Sequence, residues 1–248
     1  MKRDVSAART LRLFLADRLA DGAHVVLSGG QAHYLAHVMR LGEGAAFRIF
    51  NGTDGEWLCE IIAVRKKEVE VRCDKFLRAP GLAPDIDYLF APLKHARIDY
   101  LAQKATEMGA RRLRPVVTRH TTIDRVNVDR LRANAIEAAE QCNLVGVPEV
   151  LDPEPLDGVL AAWEEGRRLV YCDEAASESD PVGVLAGLAP GPLALLVGPE
   201  GGFAPEERDM LHARPFVTAI SLGPRVMRAD TAAVAALALI QATLGDWR

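Results

Sequence analysis

Cysteine, aromatic residues and long apolar runs are all scarce in this chain of 248 residues. Its four cysteines lie far apart and form no CxxC pair, which argues against a zinc site and against a disulfide framework. The longest apolar stretch, AAVAALALIQATLG near the C-terminus, is too short to span a bilayer. We therefore expect no metal, no membrane segment and a reducing compartment.

The beginning of the chain lacks the features of a secretory signal. Arg9 and Arg12 interrupt any apolar core that such a signal would need. Together with the cysteine usage, this predicts a cytoplasmic protein.

Charge is unevenly distributed along the sequence, although the net charge is only −4. Lysine and arginine outnumber acidic residues over residues 1–130, and the balance reverses over residues 131–248. A basic face that meets a polyanion would give this pattern, and so would ordinary solvated surface charge. Both interpretations stay open from charge alone.

The pattern of apolar residues changes near residue 80 and predicts two domains. Residues 1–78 carry short alternating runs split by turn dipeptides such as Asn51-Gly52, which is typical of a small β-barrel or curled sheet. A short helix over GGQAHYLAHVMRLGEG is expected to end near Gly42. Residues 79–84 are rich in proline and glycine and are interpreted as a linker.

Residues 85–248 alternate strand-like and helix-like segments, which predicts an α/β domain with a mostly parallel sheet. The final helix has almost no polar face, so it is expected to be buried against the sheet or a partner subunit. The predicted strands are IDYLFAPL, RLRPVVTRH, RRLVYCDE, PLALLVG and FVTAISLG, and the predicted helices are ARIDYLAQKATEMGA, VDRLRANAIEAAEQCN, APEERDMLHAR and TAAVAALALIQATLG.

Two Gly-Pro loops, LVGPEGGFAPEE and SLGPRVMRADTAA, follow the last two strands. Ligands of parallel α/β sheets bind at the carboxyl ends of strands. Glycine lets the backbone approach a ligand and proline stiffens the loop. Neither loop matches the GxxxxGK[ST] or GxGxxG phosphate motifs. A backbone-read ligand such as adenine is therefore favoured over a phosphate, and sharp turns without a ligand are the alternative.

These loops closely resemble the C-terminal signature of the 16S ribosomal RNA uracil-N3 methyltransferases, which belong to the SPOUT class. The similarity extends over nearly the whole chain, through PLKHARIDYLAQKATEMGA, AIEAAEQCNLVGVPEV, HYLAHVMRLGEG and NGTDGEW. The chain departs from the family pattern at Leu144 and Gly146, where arginine is usual before the Val-Pro pair. It also departs at Asp230, where glutamate is common.

The resemblance implies a PUA-like RNA-binding β-barrel followed by a SPOUT domain that ends in a trefoil knot. It implies a homodimer that transfers a methyl group from S-adenosyl-L-methionine (SAM) to N3 of uridine 1498 of 16S rRNA in the small ribosomal subunit. No metal is implied.

The resemblance also places candidate site residues. Arg225 and Arg228 are candidates to stabilise charge on the uracil, because a guanidinium stays cationic and offers several donors. Glu200 completes the catalytic set, and we favour an orienting role for it. The SAM contacts are predicted at Leu196, Val197, Gly198, Gly202, Leu222, Gly223, Val226, Met227 and Thr231. RNA phosphate contacts are predicted at Arg40, Lys94, Arg97, Lys104 and Arg119.

Three alternatives to this function remain. The first is a SPOUT enzyme that methylates another RNA site. The second is a non-catalytic RNA-binding module on the same scaffold. The third is a phosphate-handling α/β enzyme that uses GPEGG as an anion loop, which the missing Lys-Ser/Thr disfavours.

Overall fold

A computed structural model describes residues 11–81, 84–123, 125–176 and 180–247. The chain divides into two compact units. One combines the chain before residue 83 with residues 139–147, and the other comprises residues 83–138 and 148–248. Residues 1–10 of the predicted first domain and residues 82–83 of the predicted linker lie outside the described residues.

The first unit is built on a curled five-stranded sheet in the order β1-β3-β4-β5-β2. β1 and β3 pair in parallel and the other pairs are antiparallel. The strands are β1 (Arg12–Phe14), β2 (His24–Ser28), β3 (Ala46–Asn51), β4 (Gly55–Val64) and β5 (Glu68–Arg78). Helix α1 (Gly29–His33) continues as a π-helical turn over Tyr34–Val38, so the predicted helix ends before Gly42.

Residues 139–147 complete the first unit through a buried arginine. Arg12 donates hydrogen bonds to the carbonyl oxygens of Ala139, Glu140 and Leu144 at 2.6–2.9 Å. Its Nε donates to Glu56 Oε1 at 2.6 Å, and Arg78 Nε donates to the other carboxylate oxygen of Glu56 at 2.6 Å. The segment is thus held to the sheet by directional bonds as well as by apolar packing.

Glu56 is almost completely buried, and protonation of its carboxylate makes the stability that this network contributes depend on pH. Burial raises its pKa, but hydrogen bonds from Arg78 and Arg12 outweigh burial and hold the pKa below its usual value. A carboxyl group with a lowered pKa stabilises the fold above its unfolded pKa, about 4.3. That stabilisation is lost as the pH falls through the folded pKa.

We expect Glu56→Gln to lower the free energy of unfolding by about 1.5–3 kcal/mol at pH 7, because it weakens charge-assisted hydrogen bonds. The difference from the wild type should shrink as the pH falls below about 4. Urea denaturation at several pH values measures both effects. Glu60→Gln on the same strand is the control, because Glu60 pairs with Arg72 at the surface. An equal loss in both variants would contradict a special role for Glu56.

The second unit is an α/β layer with a seven-stranded sheet. Its strands are β6 (Ile86–Phe90), β7 (Arg112–Val117), β8 (Glu149–Val150), β9 (Glu154–Pro155), β10 (Arg168–Cys172), β11 (Leu193–Val197) and β12 (Val217–Ile220). Its helices are α2 (His95–Glu107), α3 (Val128–Gln141), α4 (Leu156–Ala161), α5 (Pro181–Ala186), α6 (Pro205–His212) and α7 (Ala229–Thr243), with the end of α3 in the first unit. The five predicted strands and four predicted helices are all present. The short elements β8, β9, α4 and α5 were not predicted.

The strand order is β12-β10-β11-β6-β7-β8, with β9 paired to β7, and every pairing is parallel. The predicted class is therefore confirmed: a mostly parallel α/β domain preceded by a small β domain. The order also shows that β11 and β12 are not adjacent, because β10 lies between them. The chain from β11 to β12 must cross β10, which is compatible with the trefoil knot that the resemblance implies.

An acidic residue in β6, Asp87, forms ion pairs with several arginines of the second unit. Asp87 is fully buried, and Arg112 Nε donates to its Oδ1 at 2.5 Å. Arg114 and Arg167 lie 3.5 and 3.7 Å from its carboxylate. Arg167 is itself only 1% exposed. Asp87 and Arg167 are both removed from water, so each needs the opposite charges around it.

Helix α7 is buried along one face, with Ala229, Ala233, Ala236 and Ile240 in the core. Its Gln241 is also buried and donates a hydrogen bond to the Met108 carbonyl oxygen at 2.6 Å. Among the described residues, no helix has both the length and the apolarity needed to cross a membrane.

Candidate functional site

A cleft of about 240 Å³ opens at the carboxyl ends of β10, β11 and β12. Both Gly-Pro loops line it, the first from Val197 to Phe203 and the second from Leu222 to Met227. The end of β10 contributes Cys172, and the loop after β10 contributes Asp173 and Glu174. Three strand ends, rather than the two predicted from the sequence, therefore form the site.

Most of the residues predicted to contact SAM line this cleft. They are Val197, Gly198, Gly202, Leu222, Gly223, Val226 and Met227. Leu196 instead lies in the sheet core with no exposed surface. Thr231 does not line the cleft but lies in the first turn of α7, where its amide donates to the Asp230 carboxylate at 2.8 Å.

Two glycines explain how the backbone lines the cleft. A Cβ atom on Gly198 would lie 2.6 Å from the ring of Phe203, so only glycine fits there without movement. Gly223 has a φ of +102°, and nothing lies within 4 Å of the position of a Cβ. The left-handed backbone at Gly223 therefore leaves open space on the side where a side chain would project.

The loop after β10 brings a negative charge that is already paired. Asp173 accepts from Arg208 Nη2 at 3.0 Å and lies 3.3 Å from His212 Nε2. Burial raises the pKa of Asp173, but hydrogen bonds from the Ala175 amide and from Arg208 outweigh it and hold the pKa below the usual value. Asp173 is thus a carboxylate at neutral pH whose oxygens are engaged, which does not suit a general base.

Cys172 lines the same cleft as a neutral thiol. Loss of solvation raises its pKa to about 12, so it is protonated at neutral pH and is not an activated nucleophile. Across the described ranges, no three His, Cys, Asp or Glu side chains form a group that could hold a metal ion.

One arginine joins the two Gly-Pro loops. Arg97 in α2 forms an ion pair with Glu200 of the first loop. Its Nε also lies 3.9 Å from Asp230, which follows the second loop at the start of α7. Arg97 had been predicted to contact RNA, whereas here it links two carboxylates that belong to different loops.

The two arginines of the second loop occupy different positions. Arg225 lines the cleft and is exposed. Arg228 is exposed at the N-cap of α7 and does not line the cleft. The structure therefore places in different positions two arginines for which we predicted the same role from the sequence.

The remaining residues predicted to contact RNA lie on different elements of the two units. Lys94 is exposed at the N-cap of α2. Lys104 donates to both carboxylate oxygens of Glu107 at 2.7 and 2.8 Å. Arg119 is exposed in the loop after β7, and Arg40 is exposed in the first unit with a φ of +54°.

The loop after β7 supports the first Gly-Pro loop from the other side. His120 Nδ1 lies 3.0 Å from the Gly201 carbonyl oxygen and 3.2 Å from that of Gly202. Both partners are acceptors, so Nδ1 must carry the proton. The Arg119 amide also donates to Glu207 Oε1 at 2.8 Å. These bonds hold the GPEGG backbone in place.

Sequence reasoning missed Asp173, Glu174, Arg208 and His120. The available signal for the first two was an acidic pair placed directly after a buried strand. His120 gave no local signal, because β6 separates its strand from β11 and only the folded sheet brings the two loops together.

Comparison with known proteins identifies both parts of the chain. A family model described as an RNA methyltransferase domain matches residues 82–241. A second, described as an RNA methyltransferase PUA domain, matches residues 27–73.

Full-length relatives and solved structures agree with these models. The chain is 30% identical to ribosomal RNA small subunit methyltransferase E of Rickettsia conorii, over 93% of this chain and 94% of that protein. The Bacillus subtilis protein of the same name is 27% identical, over 86% of this chain and 88% of its own. A methyltransferase from Legionella pneumophila, solved with SAM, is 30% identical, with a TM-score of 0.85 over 96% of this chain and 99% of its own. The chain belongs to the RNA methyltransferase family.

Proposed function

We propose that the protein transfers a methyl group from SAM to N3 of uridine 1498 in 16S rRNA of the small ribosomal subunit. The observation that carries the proposal is the cleft in which the two Gly-Pro loops meet. The relatives that bear the small-subunit name, and the Legionella pneumophila structure solved with SAM, support this choice of substrate and methyl donor.

The residues of the cleft fit SAM, which when bound supplies a methyl group on a positively charged sulfonium. The glycine-rich backbone at Gly198 and Gly223 can read an adenine through peptide groups. Glu174 provides negative charge that suits a cation. The apolar wall comes from residues such as Val197 and Leu222.

The sequence of the first loop disfavours the phosphate-handling alternative. The GPEGG segment is not followed by the Lys-Ser/Thr pair that a phosphate-binding P-loop carries. The charges of the cleft are mixed, because Asp173, Glu174 and Glu200 line it together with Arg208 and Arg225.

Arg225, which lines the cleft, is our candidate to assist the acceptor base. Uracil N3 normally carries a proton and is a poor nucleophile, and its deprotonation spreads negative charge onto O2 and O4. A guanidinium that lines the cleft can stabilise that charge. Glu200 acts indirectly, since it is paired with Arg97 and so orients the first loop.

The proposal also includes the oligomeric state and the location of the enzyme. We infer a homodimer in the cytoplasm whose RNA substrate is presented within the small subunit. Val226 on the rim of the cleft is 84% exposed, which supports a partner surface next to the site.

The test is methyl transfer from labelled SAM to small subunits that lack the modification, followed by nucleoside analysis. N3-methyluridine at a single 16S position is the expected product. A label on another nucleoside would redirect the proposal to another RNA site. SAM binding without transfer to any RNA would favour the non-catalytic module.

His120 is expected to act on SAM affinity as a positioning residue, because it holds the GPEGG carbonyl groups without lining the cleft. His120→Ala should raise the Kd for SAM by about two- to tenfold, the equivalent of one hydrogen bond of 0.5–1.5 kcal/mol. Isothermal titration calorimetry measures the Kd for SAM.

His120→Asn keeps a side-chain donor and should recover part of the affinity, which simple loss of packing would not predict. His24→Ala is the matched control, because His24 is an exposed histidine of the first unit. An unchanged Kd in His120→Ala would show that the loop does not depend on this contact.

A further inference from the structure

One arginine of the cleft has no role in the proposed chemistry. Among the described residues that line the cleft, two are arginines: Arg225 of the second Gly-Pro loop and Arg208 of α6. Arg225 is our candidate for the acceptor base, which leaves Arg208 as a second permanent positive charge in the same cleft. An anionic group of a ligand is the natural partner for such a charge.

Arg208 is held in a fixed position by a buried carboxylate. It lies in the first turns of α6, the helix that begins soon after the first Gly-Pro loop. Its Nη2 donates a hydrogen bond to Asp173 Oδ2 at 3.0 Å. Asp173 is only 4% exposed, and its Oδ1 accepts from the Ala175 amide at 3.1 Å. Because the guanidinium is already positioned, binding an anion costs it little conformational entropy.

The contact with Asp173 does not use all the donors of Arg208. A guanidinium has five N–H donors, and the Asp173 contact uses one of them. Nε of Arg208 is enclosed and makes no hydrogen bond with any residue that the structure describes. The side chain is 36% exposed, and with Nε enclosed this exposure belongs to the remaining atoms. Arg208 can therefore donate to a ligand in the cleft while it stays bonded to Asp173.

The proposed methyl donor carries one group that needs such a donor. SAM has a sulfonium and an α-amino group, which are cationic and suit Glu174, but it also has an α-carboxylate. Removing a carboxylate from water is unfavourable unless a hydrogen-bonded cation meets it. An arginine matches a carboxylate particularly well, because it can donate two parallel hydrogen bonds to the two oxygens.

We propose that Arg208 binds the α-carboxylate of SAM, so that the cleft selects ligands that keep this group. Asp173 is then a positioning residue, since it acts through the guanidinium that it holds. The inference rests on the proposed function, because it assigns a residue to the methyl donor of that reaction.

The test compares SAM with decarboxylated SAM, which keeps the adenine, ribose, sulfonium and amino group but lacks the carboxylate. Isothermal titration calorimetry with the full-length protein gives both Kd values. We expect the wild type to bind SAM about 10- to 100-fold more tightly, the usual effect of a hydrogen bond between charged groups. Arg208→Gln should raise the Kd for SAM by about the same factor and leave the Kd for decarboxylated SAM within about twofold. Arg208→Lys should recover part of the preference, because it keeps the charge but not the paired donors.

Two further variants separate carboxylate binding from damage to the cleft. Asp173→Asn loosens the support of Arg208 but leaves the arginine in place, so the preference for SAM should persist. Arg214→Gln is the matched control, because Arg214 is an exposed arginine just after α6 that does not line the cleft. Both of its Kd values should equal those of the wild type.

The possible results distinguish this assignment from the proposed function. An equal rise of both Kd values in Arg208→Gln would overturn the assignment, because Arg208 would then only support the fold of the cleft. Weaker binding of small subunits with an unchanged preference for SAM would overturn it in favour of an RNA contact. A wild type that binds both ligands equally would overturn the assignment and leave the proposed function standing. A wild type that binds neither ligand would overturn the proposed function itself and this assignment with it.

Discussion

Replacing Arg225 with alanine is expected to lower kcat for methyl transfer by about 10²–10³, the usual effect of removing one donor that stabilises developing charge. The SAM affinity should change little, because the cleft offers backbone groups from both Gly-Pro loops for the cofactor. Arg225→Lys keeps a cation but not the planar set of donors, so it should recover only part of the rate.

Single-turnover transfer to unmodified small subunits, with SAM affinity measured separately, checks this expectation. Arg228→Ala is the comparison variant, since Arg228 lies outside the cleft and should cost less in kcat. A loss confined to SAM affinity would assign Arg225 to cofactor binding. A larger loss at Arg228 would place the reacting base on the other side of the loop.

Replacing Asp87 with alanine is expected to destabilise the protein by about 3–5 kcal/mol, the range found when one partner of a buried ion pair is removed. The loss is large because Arg167 remains buried with less compensating charge, and because Arg112 loses its 2.5 Å hydrogen bond. Urea denaturation followed by circular dichroism gives the free energy of unfolding.

Asp129→Ala provides the matched control for Asp87. Asp129 also pairs with an arginine, Arg132, at 2.9 Å, but its side chain is 92% exposed. Exposed pairs contribute about 0–1 kcal/mol. Similar losses in the free energy of unfolding of the two variants would mean that burial does not determine how strongly the Asp87 interactions stabilise the protein.

The sequence predicted features that depend on local pattern. The alternating runs of residues 1–78 include the buried Val69, Val71 and Cys73 of β5, and the alternating elements after residue 85 predicted the parallel sheet. Strand ends followed by glycine and proline predicted that both Gly-Pro loops would meet in one site, and the cleft contains both.

Features that depend on pairing between strands far apart in the sequence could not be predicted. Nothing in the local sequence of β10 places it between β11 and β12, so the position of Asp173 between the two Gly-Pro loops could not be predicted. The same holds for the contacts of His120 with the first Gly-Pro loop and for the ion pairs of Arg97 with Glu200 and Asp230. The sequence alone does not show whether a charged residue contacts a phosphate or a carboxylate.

The packing of residues 139–147 on the first unit has a consequence for how the chain is made. Phe50 is fully buried in a cluster that includes Ala139 and Val145, and Arg12 finds carbonyl partners there. A growing polypeptide that has reached only residue 82 therefore lacks a wall of its first unit. That unit can finish folding only after residues 83–138 of the second unit have also emerged from the ribosome, which makes the two units interdependent during synthesis although each has its own core.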